Sequence, residues 1–163
     1  MSNIDRRKLK QTKSAEKRLV EISFKPARSR RLPKPFDRLG ARAYLSDMIE
    51  LGGEFRAVFV WRDGETVSRS SFYGHLLQST DAGLLPLAIL HYHPSHKGLH
   101  AVLNCEIERN YVGRQLPGAP EFSLKGADGL DPRSEADRKR LVCLFCERFG
   151  VMLGQDGGLF HAT

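Results

Sequence analysis

Phe55 to Arg62 alternates strictly, with Phe55, Ala57, Phe59 and Trp61 on one face of any extended strand, and Asp63-Gly64 follows at once. A period of two closed by a two-residue turn signal commits this part of the chain to an antiparallel hairpin, with Glu65–Tyr73 returning as a more polar strand. A second pair follows. After a loop around His75–Gly83, the apolar run Pro86–His93 suits a central strand, Pro94–Gly98 turns the chain, and Leu99–Glu106 comes back beside it.

Helical periodicity flanks these strands. Ala41, Leu45, Met48 and Ile49 form a stripe that predicts a helix over 36–51, with Gly52-Gly53 as its C-terminal cap. Further on, Asp131-Pro132 reads as a cap and first helical residue, Leu141, Val142, Phe145 and Phe149 as a buried stripe, and Gly150 as the stop. Arg138-Lys139-Arg140, beside Glu135 and Asp137, reads as the solvated side. Val151–Leu153 and Leu159-Phe160 suggest a last small hairpin. The expected fold is therefore α+β: an antiparallel sheet of about four to six strands, two main helices packed on one face, and a flexible basic N-terminal arm.

Charge is placed unevenly. Residues 1–39 carry 13 Lys and Arg against 4 Asp and Glu, and the remaining residues 13 against 15, which together make the net +7. Residues 1–35 therefore read as a basic, largely disordered arm, because Pro26, Pro33 and Pro35 interrupt the cations and few apolar residues support a helix. Residues 36–163 read as one domain, a size that buries a core without disulfides or metal. Cys105, Cys143 and Cys146 are an odd set that reads as free thiols. No apolar run reaches the roughly 18 residues of a membrane span, and the N-terminal stretch has no signal-peptide character, so a cytoplasmic location is expected.

A cationic arm neutralises phosphates and releases counterions, which makes nucleic acid, or a protein loaded with it, the expected partner. Arg6, Arg7, Lys8, Lys10, Lys13, Lys17, Arg18, Lys25, Arg28, Arg30, Arg31 and Lys34 are the candidate phosphate contacts, and Tyr92, His96 and Lys97 add stacking and cationic groups from the second hairpin. Membrane binding is not expected, since the arm lacks a bulky apolar face.

Four of the six histidines, His91, His93, His96 and His100, lie within ten residues. Alternation puts His91 and His93 on one face, about 6 to 7 Å apart along the strand, and a turn centred on Lys97-Gly98 brings His100 to the same face. Such imidazoles suit a Zn²⁺ or other divalent metal site, or acid/base work on a phosphate ester. The alternative to nucleic-acid binding is thus a metal-dependent hydrolase or phosphodiesterase using His91, His93 and His100, and a third reading is an adaptor or inhibitor of an acidic or nucleic-acid-loaded protein. His91-Tyr92-His93-Pro94 is similar to the His-x-His-Pro of JAMM-type zinc hydrolases. Ala101 and Asn104 occupy the positions where that pattern continues with serine and aspartate, so no family is assigned and no cofactor is required. A phosphate-binding glycine loop and a serine nucleophile elbow are both missing from the sequence.

Overall fold

The computed structural model describes residues 11–12, 14–29, 31–33, 36–37, 39–95, 98–104 and 121–154. The burial run of Ala57–Trp61 decides the architecture: all five residues are buried, so both sides of this strand's backbone need hydrogen-bonded neighbours. The strand, Phe55–Arg62, is β5 in chain order. On one side it pairs with β6 (Ser71–Thr80); on the other it pairs with β3 (Ala43–Ser46) and then β4 (Ile49–Gly52).

This overturns the expected first helix, and with it the two-helix architecture. The stripe from Ala41 to Ile49 fits a helix locally, but Ala43 and Leu45 also share one face of a strand, and the open edge of β5 selects that alternative. The Gly52-Gly53 pair, read as a helix cap, is a hairpin turn with both residues at positive φ. Three residues of the β3–β4 side, 46–48, face two of β5, 58 and 59, which is a bulge. The Ser46 hydroxyl occupies it, accepting from the Phe59 N–H at 2.9 Å and donating to the Asp47 carbonyl at 2.9 Å.

The sheet continues through β7 (Gly83–His93), β8 (Gly98–Leu103) and β9 (Glu121–Ser123), all antiparallel, and β2 (Phe24–Pro26) closes the opposite edge. Seven strands therefore lie side by side, with β4 prolonging β3 along β5. The segment expected as a loop from His75 onward is the second half of β6, and the two-residue turn expected at Asp63-Gly64 is a longer loop containing a 3₁₀ turn, Val67–Arg69. Pro26 sits on an edge strand and Pro86 beside a bulge, the two places a strand tolerates proline.

One long helix, α1 (Glu135–Phe149), covers one face. It begins at Ser134, whose hydroxyl accepts from the Asp137 N–H, and ends on left-handed Gly150. Phe59, Phe72, Leu76, Leu90 and Ala101 face Leu141, Val142, Phe145 and Phe149 in the main core. Helix and sheet approach so closely that a Cβ on Gly74 would lie 2.6 Å from Phe145 Cδ2. Arg138, expected on the solvated side, instead lays its guanidinium 4.2 Å from the Trp61 ring centre, and Tyr44 stacks on that indole with ring centres 4.2 Å apart.

The basic N-terminal stretch is partly woven into the fold, because its few apolar residues are used. Leu19 and Ile22 enter the main core, and β1 (Arg18–Leu19) pairs in parallel with β10 (Met152–Leu153). Ala27, Leu32 and Phe36 cross the opposite face of the sheet and build a second, smaller core on Ala43, Leu45, Val58, Val60 and Leu77. Of the expected last hairpin, Leu159-Phe160 lie outside the described residues. Among the described residues no helix is long and apolar enough to cross a membrane.

Candidate functional site

Sheet register assembles the histidines. His91 on β7 is the direct cross-strand partner of Tyr73 on β6 and of His100 on β8, and Ser123 of β9 follows His100. In the other direction Tyr73 faces Val60, Val60 faces Leu45, and Leu45 faces Lys25. One row of side chains thus runs Lys25, Leu45, Val60, Tyr73, His91, His100, Ser123 across the face that α1 does not cover. At about 4.8 Å per strand, Lys25 and His91 stand about 19 Å apart at the backbone.

The neighbouring rows complete the group. His93 follows His91 by two residues on β7, in the row of Arg62, Ser71 and Gly98; His75 lies two residues beyond Tyr73 on β6, in the row of Val58, Ile89 and Val102. The four imidazoles and the phenol cluster on this one face of the sheet. Ring centres of His91 and His100 are 4.8 Å apart, of His91 and His93 6.1 Å, and of His93 and His100 6.0 Å. Tyr73 lies 5.1 Å from His91 and 5.4 Å from His93, with its hydroxyl 3.4 Å from His93 Nε2.

Burial grades the cluster. His75 and His100 are buried, whereas His91, His93 and Tyr73 are partly exposed. The Phe36 ring meets His75 edge-on at 4.9 Å, which joins the second core to the histidines. On the other flank Arg62 is exposed. Among the described residues no three or more His, Cys, Asp or Glu side chains converge as a metal-holding group.

The cations expected at a phosphate backbone divide into three sets. Arg18, Lys25, Arg28 and Arg31 are exposed. Lys17 is fully buried: its ammonium donates to the carbonyls of Thr12 and Ala15 and lies 5.1 Å from the Phe55 ring centre, and burial lowers its pKa. It serves the fold, capping carbonyls at the end of the helical turn in which the Ala15 N–H donates to the Gln11 carbonyl. Arg6, Arg7, Lys8, Lys10, Lys13, Arg30 and Lys34 lie outside the described residues, as do His96 and Lys97.

Tyr92 is on the helix side of the sheet. It is buried, its hydroxyl donates to the Leu130 carbonyl at 2.7 Å, and desolvation together with Asp128 raises its pKa. Strand alternation sets His91 and His93 on one face and Tyr92 on the other, so this tyrosine is removed from any surface that the histidines form. Ala101 is buried in the main core, and the Asn104 amide donates to the Pro86 carbonyl at 2.6 Å. Both positions of the JAMM-like comparison thus have structural duties. Cys146 is buried with its thiol pushed up to about 12, and Cys143 is raised also by burial, so neither is a poised nucleophile.

Sequence reasoning missed Tyr73, His75 and Arg62. The strand Ser71–Thr80 carries Phe72, Leu76, Tyr73 and Leu77 and so buries apolar groups on both faces, which hides its period. Tyr73-x-His75 repeats the i, i+2 placement of His91-x-His93, and that was the available signal. Compared with family models, with curated proteins and with solved structures, the chain shows no significant match to any of them.

Proposed function

We propose that the protein binds nucleic acid on the sheet face opposite α1, with exposed cations meeting the phosphate backbone and the Tyr73/His91/His93 patch meeting bases or sugar. One observation carries the reading. The basic segment is fastened on the same face as the histidines: Ala27, Leu32 and Phe36 pack onto Val58, Val60 and Leu77, and Phe36 touches His75. Lys25, Arg28 and Arg31 are thereby held, exposed, at one end of a surface whose centre is imidazole and phenol.

The chemistry of each part fits the task. Lysine and arginine displace counterions from the backbone and supply affinity that is mostly blind to sequence. A tyrosine and partly exposed imidazoles offer flat faces and hydrogen-bonding edges to unpaired bases. Anisotropy titrations of labelled single- and double-stranded DNA and RNA, at low and physiological salt, test the proposal. Binding that weakens steeply with salt is expected; no binding of any strand at low salt overturns it. Binding of heparin alone would point instead to an acidic protein partner.

A further inference from the structure

The geometry points to a metal-independent cleavage of RNA at the histidine patch, with His91 and His93 as the acid–base pair. This rests on the nucleic-acid reading above and names the substrate class of the same surface. Its first support is proximity. Two partly exposed imidazoles stand 6.1 Å apart at their ring centres, on a strand with buried neighbours and on the face that carries the basic segment, with the exposed Arg62 two strands away in the row of His93.

Its second support is the crowding of imidazoles. His75, His91, His93 and His100 lie in one patch, and His100 is 4.8 Å from His91 and 6.0 Å from His93. Moving one proton off a nucleophile and another onto a leaving group takes two such groups within reach of one phosphate, and this cluster places them there.

The reaction balances without a co-reactant. A neutral imidazole takes the proton of a ribose 2′-hydroxyl as that oxygen bonds to the adjacent phosphorus. The bond from phosphorus to the 5′-oxygen breaks, and the protonated imidazole gives its proton to that oxygen. The products are a 2′,3′-cyclic phosphate end and a free 5′-hydroxyl end. DNA has no 2′-hydroxyl and would be bound but left intact.

The test uses the full chain, in EDTA, with an end-labelled DNA strand containing a single ribonucleotide, beside an all-DNA strand and an all-RNA strand. Cleavage 3′ to the ribonucleotide, leaving a cyclic phosphate, is expected, with the all-DNA strand intact. His93→Gln and His91→Asn should each lower the single-turnover rate at saturating protein by about 100-fold or more, a comparison that a weakened affinity does not affect, while thermal melts show both variants folded. Strands bound but uncleaved, cleavage only without EDTA, or rates unchanged in both variants would overturn the inference and leave the binding proposal standing. Failure to bind any strand would remove that proposal instead.

Discussion

Replacing Lys25, Arg28 and Arg31 together by glutamine isolates the electrostatic part of the proposed interface. All three are exposed, and their side chains take part in neither core, so the fold should persist. If each neutralises one phosphate of a single strand, the slope of log affinity against log salt falls by about 0.7 per contact, or about 2 for the three. Between 50 and 200 mM salt the parent should then lose about 18-fold more affinity than the variant, fourfold in salt raised to that slope difference. The assay is anisotropy with a single-stranded oligonucleotide at five or six salt concentrations, with circular dichroism melts to confirm folding. An unchanged slope in a folded variant would refute the reasoning, because it would mean that these cations do not touch phosphate.

Other expectations separate the two faces. Gly74→Ala should cost about 1 to 3 kcal/mol in urea unfolding, because its methyl group would meet the Phe145 and Phe59 rings. Tyr92→Phe should cost about 1 kcal/mol through the lost bond to the Leu130 carbonyl, with nucleic-acid affinity unchanged. Phe36→Ala should cost about 3 to 5 kcal/mol and weaken binding at a temperature where the variant is still folded, since Phe36 fastens the basic segment to the histidine face. Asp131 has its pKa held down chiefly by hydrogen bonds from Arg133. Its folded value lies below its unfolded one, so its stabilisation is full above about pH 4 and is lost as pH falls through the folded value. Asp131→Asn should therefore flatten the acid limb of stability against pH, and an unchanged limb would count against that pairing.

The hairpin β7–β8, the helix stripe and the shared face of Phe55, Ala57, Phe59 and Trp61 were legible because each period is set by local burial against one surface. The face shared by His91 and His93 followed from alternation alone; the register pairs His93 with Gly98 and His91 with His100, which centres the turn two residues before Lys97-Gly98, and because the difference is even His100 keeps the expected face while standing opposite His91. Residues 43–52 were not legible. Their side chains satisfy both a helical stripe and a strand, and the deciding factor, the hydrogen-bonding edge of β5, lies elsewhere in the sequence. Lys17 and Arg138 looked like surface charges for a related reason: whether a cation is buried depends on an aromatic partner, Phe55 or Trp61, that sequence distance conceals.

The two faces of the sheet answer to different demands. On the helix side an unbroken apolar surface, from Phe59 through Ala101, meets α1 and supplies the main core. On the other side the apolar surface is continuous from Ala43 to Leu77 and then gives way to imidazole, although Ile89 and Val102 show that these strands accept aliphatic residues in the next row. Valine or isoleucine at His91 and His100 would extend the second core without burying ring nitrogens, a change that stability alone would favour. The two buried and two partly exposed imidazoles on this face are therefore a feature that the proposed binding role would account for and stability alone would not. That same face receives the basic segment, so exposed cations stand at one end of it and imidazoles at its centre, and the proposed phosphate-bearing ligand would span both.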